Sequence, residues 1–513
     1  MNRNFALAAV CAVLFLTFLD NTIVSVALAD IQTSLRTGVP ALQWIVDGYM
    51  LAFTGLMLTG GTLGDLLGRK RVMLAGIALF STGSLVGALA SDSRTLIAAR
   101  VVMGVGAAAC EPGTLSLIRH IYPNRGERAR ALGVWTAVSG ISLALGPVLG
   151  GVLIAGGGWR WIFWFNLAFG IASFAAAARF VPESSDPQGR RLDVPGLVAG
   201  VVAITGITFA VIEGENAGYR TWWVVALFAV AALAVLAFVA IERRTPDPVL
   251  RLEFFRISTF SGATVVGFAT SFGLFAVFFF TALYLQIVAN FTGWRIALEF
   301  AAMALAMVVA GLASGRWTAE RGARAPMTVG CLIAGGSMFA VNAVLDPHPS
   351  SVELGAALAA VGIGLGLALV AVTAAVLGIV PAERSGMAAS TVNTSRMLGG
   401  VLAVAILGAI VNARLVGELT QKLAALGVPD AFRSLIINAV THGGLPANAA
   451  AAAAANPIAA ANLGLIAKVL TAATAAFGHG LHVALVVAAA ILLAGALIAV
   501  VTVKTEPSAE LPR

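Results

Sequence analysis

Charged residues are scarce in this sequence. Asp, Glu, Lys and Arg make up 11% of the 513 residues, whereas hydrophobic residues make up 59%. Soluble globular domains are roughly one-quarter charged and about half apolar. The composition therefore excludes an ordinary soluble domain and predicts an all-α polytopic membrane protein. The formal net charge of +8 does not indicate nucleic-acid binding, since the basic residues lie in short segments between apolar runs.

Cysteine and histidine are also scarce. The three cysteines, Cys11, Cys110 and Cys331, fall in separate apolar segments, which is typical of small buried hydrophobes rather than disulfides or metal ligands. None of the five histidines falls in the middle of an apolar segment. The sequence has no Gly-x-x-x-x-Gly-Lys-Ser/Thr pattern, which argues against direct coupling to ATP. We therefore expect no metal site, no cofactor and no enzymatic activity.

Fourteen apolar segments are long enough to cross a membrane as helices of about 20 residues. They lie near residues 5–27, 42–64, 72–90, 95–119, 130–154, 159–181, 194–213, 221–241, 260–286, 294–315, 326–345, 353–379, 387–412 and 479–503. Basic residues gather in alternate connections, such as Arg69, Lys70 and Arg71 after the second segment. Because cytoplasmic loops carry an excess of Lys and Arg, both termini are expected in the cytoplasm and the protein in the cytoplasmic membrane.

The segments divide as six, two and six. The predicted units are an N-terminal six-helix bundle, two additional helices with flanking cytoplasmic linkers, and a C-terminal six-helix bundle, at residues 1–181, 182–259 and 260–513. The last unit carries a predicted extracellular insertion at 413–478, in which Leu415, Leu419 and Leu423 share one helical face. A structural cap or an interfacial helix fits this insertion better than a disordered tether.

The loop from Gly60 to Met73 connects the second and third segments. Its pattern Gly-x-Leu-Gly-Asp-x-x-Gly-Arg-Lys resembles the loop between the second and third helices of the major facilitator superfamily of secondary transporters. An ordinary positive-inside loop is the alternative interpretation. We expect Asp65 to pair with a cation such as Arg119 or Arg128, or with a helix N-terminus of the second bundle. The candidate cytoplasmic gate residues are Gly61, Gly64, Asp65, Gly68, Arg69, Lys70, Arg119 and Arg128.

Five further stretches resemble motifs of one branch of this superfamily, the fourteen-span drug:proton antiporters. They are residues 19–31, 96–108, 140–153, 159–166 and 393–410. Met103 and Met397 depart from the resemblance, since each replaces the family's usual Gln. The resemblance implies a proton-coupled exporter with an antiporter motif in its fifth helix, carried here by Gly140, Gly146, Pro147, Gly150 and Gly151. The residues themselves indicate close helix packing and a bend at Pro147.

Ionisable residues inside apolar segments are the candidates for proton coupling. A charge at the centre of a membrane helix costs about 2.5–3.5 kcal/mol on insertion scales, so such residues are usually functional. Asp20 of the first segment is a candidate proton carrier or a carboxylate at the outer rim. Arg100 takes part in proton transfer by resemblance, or it staples two helices; its partner is expected to be a carboxylate such as Asp20, or backbone carbonyls. Glu111 is a candidate proton or cationic-substrate site, with a structural hydrogen bond as the alternative. Asp47 and Glu299, near the outer ends of their segments, complete the set.

Three aromatic residues, Trp135, Phe279 and Tyr284, are expected to line a substrate cavity, and Arg396 is expected near a cytoplasmic gate. The leading hypothesis is a monomeric exporter of hydrophobic or cationic drugs, driven by the proton gradient through alternating access. An exporter of one endogenous metabolite, lipid or amino acid would have the same fold. A non-transporting receptor or scaffold is a further alternative, which would have no need of several intramembrane acids.

Overall fold

The computed structural model describes residues 3–37, 39–185, 193–246, 248–289, 291, 293–381, 384–425, 428, 433 and 463–504, and no strand occurs in these ranges. The long helices of the first half are α1 (Arg3–Ile23), α3 (Val39–Leu67), α4 (Arg69–Ala88), α5 (Ser93–Ile121), α6 (Arg125–Gly157) and α7 (Arg160–Phe180), with the short α2 (Leu28–Leu35) after α1. Two central helices follow, α8 (Val194–Ala217) and α9 (Trp222–Glu242). The second half consists of α10 (Ser258–Ala276), the short α11 (Ala282–Ile287), α12 (Gly293–Arg321), α13 (Arg324–Val344), α14 (Ser351–Ile379), α15 (Ser385–Ala425) and α16 (Leu463–Thr502).

Thirteen of the described helical spans are long and apolar enough to cross a membrane. A further helix of 33 residues, α6, packs against α1 in its own half and α12 in the other. Together these spans correspond to the fourteen predicted segments. The predicted all-α membrane fold is therefore confirmed.

The two halves pack around one continuous apolar core. Buried side chains from α1 to α16 belong to a single cluster that runs through both halves. The central helices α8 and α9 pack against each other, and α8 also contacts α3 and α15. This pair therefore lies at the side of the two halves, where α8 touches a helix from each.

Small residues bring the halves into close contact. A Cβ added to Gly133 of α6 would lie 2.9 Å from the carbonyl oxygen of Gly311 on α12. A Cβ added to Gly61 of α3 would lie 2.6 Å from the Cβ of Ser390 on α15. Real Cβ atoms essentially never approach other atoms within 3.0 Å. Glycine at these positions therefore allows the close approach of the two halves.

The bundle has two ends. We call the end that carries the connection between α3 and α4 the Arg69 end, and the other the opposite end. Helix α1 begins at the Arg69 end, where Nη1 of Arg3 lies 3.2 Å from Oε2 of Glu127 near the start of α6.

Helices α15 and α16 continue beyond the predicted limits of their segments at the opposite end. They have 41 and 40 residues, respectively, which correspond to about 60 Å each at about 1.5 Å per residue, twice the roughly 30 Å hydrocarbon core. Leu419 and Leu423 pack against Ala473 in a separate small apolar cluster. Part of the predicted insertion at 413–478 is therefore a helical extension of the bundle, and its Ala-rich run at 449–455 lies outside the described residues.

Candidate functional site

Asp20 and Arg100 form a buried ion pair. Nη1 of Arg100 donates a hydrogen bond to Oδ2 of Asp20, and Nδ2 of Asn166 donates to Oδ1 of the same carboxylate at 2.7 Å. The side chains of Arg100 and Asp20 are 1% and 0% exposed. We call Asp20, Arg100 and Asn166, which come from α1, α5 and α7, the Asp20 cluster. The predicted pairing of Asp20 with Arg100 is confirmed.

Helix α3 supplies further partners for Arg100. Its Nε donates to the carbonyl oxygen of Ile45 at 2.9 Å, and its guanidinium carbon lies 4.3 Å from the centroid of the Tyr49 ring. The Tyr49 hydroxyl donates to the carbonyl oxygen of Thr17 at 3.1 Å. An ion pair offsets its desolvation only when the remaining donors are also satisfied. Helices α1 and α3 therefore both hold this guanidinium in place, and α7 holds its Asp20 partner through Asn166.

The sequence signal for these additional partners was weak. Asn166 is the one amide side chain in the run WRWIFWFN, and Tyr49 is one of only four tyrosines in the chain. Asn166 falls within the stretch 159–166 that resembles a family motif, whereas nothing in the sequence around Tyr49 marks it as a partner of Arg100. Which face of each helix they occupy depends on helix packing.

Helix α5, which carries both Arg100 and Glu111, begins at an N-cap. Oδ1 of Asp92 accepts a hydrogen bond from the backbone N–H of Thr95 at 2.9 Å, and Oδ2 accepts from the Thr95 hydroxyl at 2.8 Å. Side-chain oxygens at this position satisfy N–H groups that lack helical partners. The Thr95 backbone and hydroxyl hydrogen bonds hold the pKa of Asp92 below its usual range. The cap fixes where α5 starts, and hence where its two charged residues lie.

Glu111 and Arg396 are buried charges from different halves. They are 1% and 5% exposed and interact electrostatically. The guanidinium carbon of Arg396 lies 5.6 Å from the centroid of the Trp135 ring, whose Nε1 donates to Oγ1 of Thr114 at 3.0 Å. Among the described residues, Oε2 of Glu111 and Nη1 of Arg396 have no hydrogen-bond partner. We call Glu111, Trp135 and Arg396 the Glu111 group.

The Glu111 group lies near the middle of the bundle. Glu111 and Trp135 each lie ten residues from the Arg69 end of their helices, and Arg396 lies eleven residues from it. These positions correspond to depths of about 15–17 Å, roughly half of a hydrocarbon core of about 30 Å. Asp20 lies seventeen residues along α1, about 25 Å from the same end. The structure thus places Arg396 deeper than the sequence analysis did.

Asp65 joins the two halves at the Arg69 end. Its Oδ1 accepts from the backbone N–H of Gly386 at 3.1 Å, and its Oδ2 accepts from that of Met387 at 3.0 Å. Both groups belong to the first turn of α15, where free N–H groups and the helix dipole favour a carboxylate. Nη2 of Arg69 donates to Oδ1 at 2.7 Å. We call these four residues the Asp65 latch. The predicted docking of Asp65 on a helix N-terminus of the second bundle is confirmed, and Arg69 is a cation that the sequence analysis did not name as its partner.

The basic residues after Asp65 also bind the last turn of α7 and the segment that follows it. Nη1 of Arg69 donates to Oγ of Ser184 at 2.7 Å, and Nζ of Lys70 donates to the carbonyl oxygen of Ala178 at 2.7 Å. Gly68 has φ 109°, a backbone angle that favours glycine. A Cβ on Gly64 would meet only an ordinary contact, 3.8 Å from Cγ of Arg69. The loop therefore does more than carry positive charge, because it fixes α7 to α4.

The predicted antiporter motif does not form one uniform face. A Cβ on Gly140 would lie 2.7 Å from Cε of Met307 on α12, whereas one on Gly146 would clash with the Thr22 side chain of α1. Gly151 has nothing within 4 Å of its hypothetical Cβ, and Gly150 is buried. Pro147 lies within α6, but its side chain is outside the described part of the chain. The glycines therefore serve two different helix contacts.

The other predicted site residues lie apart from these groups. Asp47 is half-buried near the opposite end of α3, and Glu299 is buried with Oε2 3.9 Å from the Cβ position of Gly355, near the start of α14. Phe279 is 47% exposed and packs on Phe280.

Of the three aromatic residues expected to line a cavity, only Trp135 lies in the Glu111 group. Tyr284 is buried, donates to the carbonyl oxygen of Leu345 at 3.4 Å and contacts the His482 ring. Arg119 and Arg128, predicted at the gate, are half-buried near the Arg69 end of α5 and α6.

Comparison with known proteins agrees with this architecture. The family model of the Major Facilitator Superfamily matches residues 10–404. The chain is 32% identical over 433 residues to the multidrug resistance protein Stp of Mycobacterium tuberculosis (strain CDC 1551 / Oshkosh), covering 84% of this chain and 80% of the relative. It is 34% identical over 397 residues to the methylenomycin A resistance protein of Streptomyces coelicolor, covering 77% of this chain and 82% of the relative.

Similarity to a solved structure supports the same fold. The human organic anion transporter MFSD10 matches with a TM-score of 0.62 at 14% identity, covering 97% of this chain and 100% of that one. At this identity the likeness concerns the fold alone. Taken with the family match and the two resistance proteins, it leads to one assignment: the chain belongs to the major facilitator superfamily, a family of membrane transporters rather than enzymes.

Proposed function

We propose that this protein is a proton-driven exporter of hydrophobic or cationic drugs across the cytoplasmic membrane. The names of similar proteins, multidrug resistance protein Stp and methylenomycin A resistance protein, support drug export. The Arg69 end faces the cytoplasm, as the excess of basic residues in the loops at that end favours. The driving force is the proton gradient, no cofactor takes part, and the working unit is a monomer in the lipid bilayer.

The observation that carries this proposal is the Asp20 cluster. A carboxylate in the membrane interior keeps its charge only while a cation compensates it, and Arg100 is that cation. A proton that binds Asp20 removes one half of the ion pair and leaves Arg100 uncompensated, at a cost of about 3–5 kcal/mol for breaking a buried pair. Proton uptake therefore favours any rearrangement of α1, α5 and α7 that gives Arg100 other partners. Asp20 carries the proton. Through Arg100, the protonation of Asp20 changes the interactions between α1, α5 and α7.

The Asp65 latch supports alternating access. It joins the halves at the cytoplasmic end, together with the close contact between Gly61 and Ser390. In this conformation the cytoplasmic end is closed. Opening of the cytoplasmic end requires Asp65 to leave the first turn of α15. The Asp65 latch and the Asp20 cluster therefore both affect the separation of the two halves, although they lie at different depths in the bundle. Asp47 and Glu299 lie toward the outer end, where they attract protons or cations to the site.

Transport by purified protein in proteoliposomes with an acidic interior tests the proposal. We expect ethidium, a flat apolar cation, to accumulate inside as protons leave, and to stop accumulating when an ionophore abolishes the pH gradient. Asp20→Asn removes the titrating group and is expected to eliminate gradient-driven accumulation. Asp346→Asn is the matched control, since Asp346 is exposed in the connection after α13 and accepts from the backbone N–H of His348 at 2.7 Å.

Two outcomes would contradict the assignment. Accumulation that does not depend on the gradient would exclude proton antiport, and full activity of Asp20→Asn would remove Asp20 from the proton pathway. Absence of any ethidium movement would favour a dedicated exporter of an endogenous compound or a non-transporting membrane protein.

A further inference from the structure

Four of the buried polar atoms that lack a hydrogen-bond partner belong to residues at mid-depth on α5 and α15, one helix from each half. Oε2 of Glu111, Nη1 of Arg396 and both amide atoms of Asn393 are buried without a hydrogen-bond partner in the described part of the chain. Asn393 and Arg396 are three residues apart on α15, so they lie on neighbouring positions of one helix face. Native structures leave few buried polar groups unsatisfied, and each such group calls for a reason. Several in one region indicate a place built to bind something.

Glu111 and Arg396 do not satisfy each other. They interact electrostatically, yet no ion pair within 4.0 Å joins them in the described structure. The stem of Arg396 packs at α10, where the Cβ position of Gly267 is 3.6 Å from its Cγ. Its guanidinium carbon lies 5.6 Å from the centroid of the Trp135 ring. The acid and the base therefore lie in one apolar region without a close ion pair between them.

The Trp135 ring provides an aromatic surface in the same region as Glu111 and Arg396. The Trp135 ring is buried, carries the Arg396 guanidinium 5.6 Å from its centroid, and is anchored through Nε1 to Oγ1 of Thr114 at 3.0 Å. The Thr114 hydroxyl in turn donates to the carbonyl oxygen of Glu111 at 2.6 Å. Phe18 contacts the same indole edge-on, with 6.3 Å between ring centroids. The ring is thus fixed to α5 through Thr114, next to the backbone of Glu111, and it contacts the Arg396 guanidinium.

We propose that Glu111 and Arg396 are the two poles of one substrate site, and that this site takes amphoteric aromatic compounds. The cationic group of the substrate lies at Glu111, its anionic group at Arg396, and its ring system against Trp135. This inference rests on the proposed export function and narrows its substrate class. Asn393, with its free donor and acceptor, supplies hydrogen bonds to polar groups between the poles.

The physical reason is charge compensation. A purely cationic ligand would pair with Glu111 but leave the Arg396 charge buried and uncompensated, and a purely anionic ligand would do the reverse. A ligand that carries both charges compensates both poles and adds no net charge to the interior of the membrane. Since the poles belong to different halves, such a ligand also bridges the parts that move in alternating access.

Binding of a matched dye pair tests the inference. Tetramethylrhodamine is a zwitterion at neutral pH, whereas its methyl ester has the same ring system and cationic charge but no carboxylate. Fluorescence anisotropy of each dye, titrated with the purified protein in detergent, gives the two dissociation constants. We expect the acid to bind more tightly than the ester. Arg396→Gln is expected to weaken binding of the acid by about tenfold or more, the worth of a hydrogen bond to a charged group, while changing ester binding less than about threefold.

Two further variants complete the experiment. Arg396→Lys keeps the positive charge and is expected to restore part of the preference for the acid. Arg414→Gln removes an exposed cation from the same helix α15 and is expected to leave both constants unchanged. Because each protein is measured with both dyes, a general loss of folded protein affects them equally and does not mimic the predicted change in their ratio.

Several results would overturn the inference. These are tighter binding of the ester by the wild-type protein, an equal effect of Arg396→Gln on both dyes, or no binding of either dye. If gradient-driven ethidium transport persists in any of these cases, the proposed export function stands and only the amphoteric site is wrong. If ethidium transport is absent while the dye preference holds, the site is supported and proton-driven export is wrong.

Discussion

The Asp20 cluster and the Glu111 group each place a carboxylate and a guanidinium in the apolar interior of the bundle. In the Asp20 cluster, Arg100 pairs with Asp20, bonds to the Ile45 carbonyl and stacks on Tyr49. In the Glu111 group, Oε2 of the acid and Nη1 of the base have no hydrogen-bond partner among the described residues. The carboxylate and the guanidinium therefore form a hydrogen-bonded pair in the Asp20 cluster but not in the Glu111 group.

The difference follows from which helices supply the charges. Asp20, Arg100 and Asn166 belong to the first half, so rocking of the halves as rigid bodies leaves their distances unchanged, and only protonation of Asp20 favours a change in them. Glu111 and Arg396 belong to opposite halves, and the distance between them changes with each transport cycle. Pairs within one half suit a proton site that must stay assembled. Charges across the halves suit a site that is complete only when a substrate is present.

The largest expected effect comes from breaking the paired set. Arg100→Met removes the cation and leaves the Asp20 carboxylate buried with Asn166 alone, because Asn166 is its other hydrogen-bond partner. Removing one member of a buried ion pair typically costs about 3–5 kcal/mol. We expect a large drop in the thermal unfolding midpoint of the purified protein. Tryptophan fluorescence of the protein in detergent, recorded during heating, measures this midpoint.

A double variant distinguishes loss of compensation from loss of packing. Asp20→Asn combined with Arg100→Met removes both charges and should recover most of the lost stability, while proton-driven transport remains absent. A double variant as unstable as Arg100→Met would mean that the packing of the Arg100 side chain, rather than its charge, holds the helices together.

A smaller effect is expected at the Asp65 latch, which crosses the halves as the Glu111 group does but is fully hydrogen-bonded. Asp65→Asn abolishes the ion pair with Arg69 and leaves one oxygen to accept from the two amides of α15. Charge-assisted hydrogen bonds contribute about 1.5–3 kcal/mol each, so the ratio of closed to open molecules should fall by about tenfold or more.

Spin labels on the exposed positions Arg71 and Arg321, one in each half at the Arg69 end, can report this shift by double electron–electron resonance. The three native cysteines are buried, so labelling can be directed to introduced cysteines. Asp346→Asn is the control at the opposite end. An unchanged distance distribution in Asp65→Asn would show that the latch does not hold the closed state.

The fold and two of the three charged groups were predictable from the sequence, for physical reasons. Apolar length gave the helices, and a carboxylate in an apolar run needs a cation, which made Asp20 with Arg100 a rational pair. Docking of Asp65 on a helix N-terminus followed from the helix dipole together with the resemblance of its loop.

The Glu111 group was only half predictable. Glu111 stood out as an acid in an apolar run, whereas Arg396 was expected near a cytoplasmic gate although it lies nine residues inside the predicted segment 387–412. The helix that carries it begins at Ser385, which places Arg396 at mid-depth. Its contact with Trp135 depends on how α6 and α15 cross, which the sequence does not show. Phe279 and Tyr284 were expected to line a substrate cavity, but Phe279 is exposed and Tyr284 lies away from the Glu111 group. Which side of a helix faces the interior is determined by how the helices pack, and the sequence alone does not show it.

The smallest effect on stability is expected for Glu111→Gln, which tests the unpaired set directly. The substitution keeps the size of the side chain, and Oε2 of Glu111 has no hydrogen-bond partner among the described residues, so no hydrogen bond is lost at that atom. A neutral amide also costs less to bury than a carboxylate. The unfolding midpoint should stay equal to that of the wild-type protein or rise, whereas binding of the cationic rhodamine ester should weaken because the pole for its positive charge is gone. Arg100→Met provides the contrast in the same assay. A Glu111→Gln variant as unstable as Arg100→Met would mean that Glu111 is a structural partner of its neighbours, and paired and unpaired charges in this protein would then serve the same purpose.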